Sequence, residues 1–185
     1  GRPLRTRISQ ALEAQPDIQT MYTLTDLLYF YEQTFASIVP VENSVHSAVK
    51  GCQRECARLL QAALNKQAVT LTQESSSYPL DLSASHSTRT CAKQVQAVLK
   101  VRLSALSTMP SDPEEPCHVD AVLGSIVEPA LQGCRIAGTP LQGPDMAVYM
   151  LNNVTTLQLA VADAVKEKDQ VNTITEWSTK LAQEA

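Results

Sequence analysis

Met21, Leu24, Leu28, Tyr31, Phe35 and Ile38 step by 3, 4, 3, 4 and 3 positions, which lays one apolar stripe along about five turns of helix. A segment with that period must bury one face against other helices, and the same period recurs through nearly the whole chain. Residues 3–14 place Leu4, Ile8, Ala11 and Leu12 at helical spacing. Pro40 stops the second segment, and Asn43 is a candidate N-cap for a third. The third stripe runs Val45, Val49, Cys52, Cys56, Leu59 and Ala63, with a continuation through Ala68 and Leu71. After a polar loop at 75–85, a fourth helix over about residues 86–107 buries Cys91, Val95, Val98 or Leu99, the stem of Arg102, and Leu106. Asp112, Pro113 and Glu115 fit N-cap, N1 and N3 of a fifth helix carrying Val119, Val122, Leu123, Ile126, Val127 and Leu131. Pro129 should kink it, because proline donates no hydrogen bond to the preceding turn. Pro144 opens a sixth helix with Met146, Met150, Val154, Leu157 and Val161 inward, and Val171, Ile174, Trp177 and Leu181 step by 3, 3 and 4 in a last segment.

These spacings predict an all-α fold, an antiparallel helical bundle or elongated helical rod of about six to seven helices. One segment spans 1–185, and flexible loops are expected near 75–85, 108–116 and 138–143. Aromatics are only 4% and glycines only 6, which disfavours a sandwich, a barrel or a glycine-looped nucleotide fold. No helical repeat of fixed period is visible. A net charge of −4 argues against a dedicated nucleic-acid binder. The uncharged run at 146–162 contains Asn152, Asn153, Thr155, Thr156 and Gln158, too short and too polar for a bilayer span. No apolar run follows Arg2, Arg5 and Arg7, so no signal peptide is expected. Gly1 stands where an initiator methionine would and Ala185 falls inside an expected helix, so a fragment of a longer protein is expected.

Candidate chemistry is sparse. Five cysteines without paired spacing point to reduced thiols in a reducing compartment. Cys52 and Cys56 lie one turn apart, with His46 nearby, but three groups at that spacing fall short of a structural zinc set, and both thiols ride the apolar stripe. Cys117, His118 and Asp120 cluster at a helix start, where adjacent side chains diverge by about 100° and do not face one another. His86 sits in a serine-rich stretch and is expected in solvent. Asn153-Val154-Thr155 fits the glycosylation pattern but lies mid-helix, where no glycan is expected. Lys50, Arg54 and Arg58 fall at i, i+4 and i+8, oblique to the third stripe. They are a solvated face or, functionally, a docking strip for an acidic helix, offset by nothing obvious beyond Glu55, which is expected to point elsewhere. No phosphate loop, nucleophile elbow, zinc-protease helix or kinase signature is present, so neither catalysis nor a cofactor or metal is expected.

Two stretches carry a family resemblance. PLRTRISQALEAQPDIQTMYTLTDLLYFYEQTFASIV covers residues 3–39, where Pro3-Leu4, Arg7-Ile8, Leu27-Leu28, Phe30-Tyr31, Thr34 and Ile38-Val39 match. HVDAVLGSIVEPALQGCRIAGTPLQGPDMAVYMLNN covers 118–153, where Val122-Leu123, Glu128-Pro129, Leu131-Gln132, Cys134, Asp145-Met146-Ala147, Tyr149-Met150 and Asn152 match. In order and spacing the two blocks resemble the C-terminal half of the family of subunit 6 of the conserved oligomeric Golgi complex. Pro140 and Pro144 depart from the family pattern in the loop between helices. The resemblance implies a non-enzymatic scaffold segment of a Golgi vesicle-tethering complex in retrograde intra-Golgi transport. It implies a peripheral place on the cytosolic face of the Golgi membrane, with membrane association only through partners. Implied partners are the other subunits of the complex, with SNAREs, small GTPases and golgins within reach, and no nucleic acid. Read from the residues alone, a generic intracellular helical adaptor or helix-binding module is the alternative.

Overall fold

The computed structural model describes residues 2–14, 16–38, 44–73, 77–103 and 117–166. Six helices follow in order: α1 (Arg2–Glu13), α2 (Ile18–Ile38), α3 (Ser44–Gln73), α4 (His86–Arg102), α5 (Val119–Ala137) and α6 (Pro144–Lys166). There is no strand among the described residues, so the all-α bundle is as the spacing predicts. The stripe at 171–181 and the capping sequence at Asp112, Pro113 and Glu115 lie outside the described residues, as do Asn43 and Leu106.

The helices close a ring. α2 packs on α3, α3 on α5, α5 on α4, and α4 back on α2. α1 lies against α3 on one flank, and α6 lies against α4 and α5 on the other. The ring encloses the main core, to which each helix brings its own apolar turn: Tyr22, Leu60 and Leu64, Val95 and Val98, Leu123 and Ile126. α6 adds Val154, Leu157 and Val161 from outside the ring. A smaller core joins Ile8 and Leu12 of α1 to Leu28, Val49, Cys52 and Cys56. Side chains like these contribute about 1.5–3 kcal/mol each when fully buried, which is what holds unlinked helices together.

Several expectations are corrected in register. In α2 the buried face is Ile18, Met21, Tyr22, Thr25, Asp26, Leu28 and Glu32, while Tyr31 is 45% and Ile38 73% exposed. α2 is apolar on more than one side, so its period does not single out a face. Its partners' cations choose the polar one, as shown below. In α3 the deeper contacts are Leu60 and Leu64, with Leu59 and Ala63 only partly buried, and His46 turns inward where Val45 was expected. α4 ends at Arg102, capped by Leu103, rather than near residue 107. α5 begins at Val119 with His118 as its N-cap, so no continuous helix runs from residue 113. It continues past Pro129 for two more turns or so.

Two connections are tightly specified. Asp17 starts α2: its Oδ1 accepts the Thr20 N–H at 2.7 Å, and that bond holds the carboxyl below its ordinary value. In the 77–85 loop, Leu82 adopts a left-handed φ of 55°. Its N–H donates to Pro79 O, and its carbonyl accepts from Asn152 Nδ2 of α6 at 2.8 Å, which offsets that strain.

Candidate interaction surface

The three cations of the expected docking strip do emerge from one side of α3, but they differ in freedom. Lys50 is half-exposed, and its Nζ lies 3.7 Å from Glu32 Oε1 on α2. Arg58 is held by Glu55 through two hydrogen bonds, Nε to Oε2 at 3.0 Å and Nη2 to Oε1 at 2.7 Å. The expectation that Glu55 points elsewhere is therefore corrected: three positions apart, the pair meets across one turn. The forked contact raises the Arg58 pKa and lowers that of Glu55. Arg54 is exposed and has no carboxylate partner among the described residues.

Glu32 is the residue that sequence reasoning missed. It is 9% exposed, and its Oε1 lies 3.2 Å from Nε2 of His46, itself 4% exposed. The approach is within ion-pair reach but lacks hydrogen-bond alignment. One carboxylate oxygen thus faces both His46 and Lys50, tying the end of α2 to the start of α3. Arg102 and Asp26 form a second such tie, 3.5 Å apart, between α4 and α2. These cations explain why α2 turns Asp26 and Glu32 inward: a buried carboxylate is tolerated only beside a positive partner.

All five cysteines are free and buried. Burial pushes the Cys56 thiol up to about 11 and the Cys91 thiol to about 12, so neither is a poised nucleophile. His46 turns to Glu32 instead of to Cys52 and Cys56, and no metal-binding group of three forms among the described residues. His118 does meet its neighbour, contrary to expectation: its Nδ1 accepts from Asp120 N at 3.4 Å and lies 3.3 Å from Asp120 Oδ2. The reason is the N-cap conformation, which swings the imidazole over the first turn. Cys117 is buried.

Asn153 is fully buried and belongs to a network that the glycosylation pattern conceals. Its Oδ1 accepts from Ser85 N at 3.0 Å and Thr88 Oγ1 at 2.6 Å, and its Nδ2 donates to Tyr149 O at 2.8 Å. Oδ1 accepts two bonds and Nδ2 donates one, and the side chain is out of reach of solvent, so no glycan can attach without unfolding α6. Thr88 Oγ1 also lies 3.2 Å from Cys134 Sγ, which brings α5 into the same cluster. Above it opens a cavity of about 420 Å3 lined by Ser77, Tyr78, His86, Arg89 and Tyr149 among others. A second groove of about 480 Å3 runs between α3 and α5, past Asn65, Ala68, Asp120 and Glu128. Both are open depressions between helices.

Taken with the ring of helices, these features define a class: an all-α scaffold whose surface offers grooves and charged strips. The family described as "Conserved Oligomeric Golgi complex subunit 6, C-terminal" matches residues 1–184, and the chain belongs to it. Among curated relatives, conserved oligomeric Golgi complex subunit 6 of Homo sapiens is 26% identical over 162 residues, covering 87% of this chain and 24% of that protein. The Chaetomium globosum subunit is 22% identical over 88% of this chain and 23% of its own length. The Drosophila melanogaster subunit is 24% identical over 86% of this chain and 25% of its own. The chain thus spans about a quarter of the length of these relatives. No solved structure matches it. No helix among the described residues is long and apolar enough to cross a membrane.

Proposed function

We propose that this chain is a non-enzymatic scaffold segment of a Golgi vesicle-tethering complex that acts in retrograde intra-Golgi transport. The observation that carries the reading is the family match over residues 1–184. The closed ring of helices supports it, because a tether needs a stiff element that holds binding surfaces at a fixed distance. In this reading the segment works at the cytosolic face of the Golgi membrane. It reaches that membrane through its partners, which are the other subunits of the complex, with SNAREs, small GTPases and golgins as further contacts.

The test is affinity purification of the full-length subunit from cells, with and without this segment, read by mass spectrometry beside a retrieval assay for Golgi-resident cargo. The intact subunit should bring down its sister subunits. Loss of the segment should slow cargo retrieval while leaving the other subunits assembled. Failure to recover any subunit of the complex with the intact protein refutes the assignment.

A further inference from the structure

α4 is a wholly basic helix in a chain whose net charge is −4. It holds Arg89, Lys93, Lys100 and Arg102 and no acidic residue. Arg102 turns to Asp26 of α2. The other three share one outward line, His86, Arg89, Lys93, Gln96 and Lys100, which steps by 3, 4, 3 and 4 and runs away from the buried Thr88, Cys91, Val95, Val98 and Leu99. All of that line but Gln96 is exposed. The cations of α3 differ: Lys50 faces Glu32, and Arg58 is forked onto Glu55 of its own helix. In the loop before α4, the carboxyl of Asp81 is held below its ordinary value chiefly by hydrogen bonds from Ser83, and least by the charge of Arg89. At its start the line meets the depression of about 420 Å3, where His86 and Arg89 stand beside Leu71, Tyr78, Pro79 and Ala137. A pocket that continues into a row of like charges suits a partner with one anchor side chain and a row of carboxylates.

We propose that this face docks an acidic helix of another protein, with one large apolar side chain seated in the depression and carboxylates laid along Arg89, Lys93 and Lys100. Charge sets the sign of the partner, since nothing on α4 itself offsets these cations. Spacing sets its form. Arg89 and Lys100 are eleven positions apart, about 16 Å along the axis, and a second helix with acids three and four positions apart presents the same line over the same length. Exposed ion pairs hold little affinity by themselves, so the depression supplies the anchor while the line supplies register and association rate. No large hydrophobic is exposed on α4, so the line offers a bilayer nothing to insert, which favours a protein partner over a lipid surface. The inference goes beyond the Golgi assignment and does not depend on it.

The probe is a fluorescein-labelled, alanine-based helical peptide with one tryptophan and with glutamates at the spacing of Arg89, Lys93 and Lys100. It is made in both chain directions and its anisotropy is read against the 185-residue chain. At least one direction should bind at low salt, with an affinity that falls steeply toward molar salt. Arg89→Glu combined with Lys93→Glu should weaken binding about ten-fold and leave the circular dichroism melt unchanged, because both side chains are exposed. Arg54→Glu on α3 should leave the affinity as it is. Replacing the peptide's tryptophan by alanine should weaken binding by a similar factor, and scattering its glutamates around the helix should do so several-fold. Binding of neither direction overturns the proposal. So does an affinity unmoved by Arg89→Glu with Lys93→Glu, or moved equally by Arg54→Glu, and so does a tryptophan-free or scattered peptide that binds as well. Capture of phosphatidylserine vesicles in place of the peptide makes the face a lipid contact and overturns it. Binding that appears only once Asp112, Glu114 and Glu115 are changed to their amides makes the chain's own acids the occupant, and also overturns it.

Discussion

Two of the buried polar clusters that join helices in this protein do so by different physics. At the junction of α2 and α3, Glu32 lies 3.2 Å from His46 without hydrogen-bond alignment and pairs with the half-exposed Lys50 at 3.7 Å. At the junction of α4 and α6, Asn153 uses its amide on Ser85, Thr88 and Tyr149 at 2.6–3.0 Å, with no charge involved. The ionic cluster sits beside the smaller core, where a long lysine can reach water. The neutral one is walled by Tyr149, Cys134 and the start of α4, with Thr88, Asn153 and Tyr149 wholly buried beneath the open depression. Burial depth decides which kind of polar tie each site can use.

Tyr149 in the neutral cluster and the thiols of both apolar cores stay uncharged only while they keep their protons, so high pH is the broadest way to break the fold. In the unfolded chain a thiol ionises near 9 and a phenol near 10, but the fold holds Cys91 and Tyr149 protonated to about 12 and Cys56 to about 11. Burial is the main cause for all three. Between those values the unfolded chain binds fewer protons than the folded one, so stability falls as pH rises and is fully retained below pH 9. The melting temperature should therefore drop steeply from pH 9 to 12. Tyr149→Phe should blunt the drop at its upper end. At neutral pH it should change stability little, because the Tyr149 hydroxyl has no aligned hydrogen-bond partner to lose.

The next effect compares the clusters directly. Asn153→Ala strands the Ser85 N–H, while the Thr88 hydroxyl keeps Ser85 Oγ and Cys134 Sγ, and should cost about 2 kcal/mol in urea unfolding, equally at low and high salt. Glu32→Gln keeps the shape of its site but removes the charge. It should cost on the order of 1 kcal/mol at low salt and less in molar salt, because Lys50 can turn to water. If the Asn153 loss shrinks with salt as the Glu32 loss does, the two junctions are not different in kind.

The number and order of helices were legible because each core turn repeats its apolar residues at helical spacing, and α6 shows this best, with Met150, Val154, Leu157 and Val161 all inward. The face of α2 was not legible. Its stripe at Tyr31, Phe35 and Ile38 is as regular as any other, yet Glu32 is buried and Tyr31 exposed. That choice depends on where His46, Lys50 and Arg102 sit after folding, which is tertiary information. Asn153 offered a readable signal: a polar residue on the inward face of an otherwise apolar helix needs a partner. Its partner Ser85 lies 68 positions away and has no local mark. The cation strip was legible as a spacing, but Glu55 was misplaced because i, i+3 reach matters more than angular offset when both side chains are long.

That strip carries the smallest expected effect on stability and the sharpest one on association. Reversing Lys50 also disturbs Glu32, and reversing Arg58 sets two carboxylates against each other at i, i+3, so neither isolates docking. Arg54→Glu does, because Arg54 is exposed with no carboxylate partner among the described residues. Its melting temperature should match that of the wild type, as surface charges contribute little. If an acidic helix docks here, capture of that partner by the Arg54→Glu chain should be slower at low salt, and its rate should depend less on ionic strength, since rim charges act chiefly through steering. Stopped-flow association of the sister subunits recovered with the full-length protein measures both. Equal rates for Arg54→Glu and wild type at low salt would show that the strip is a solvated face.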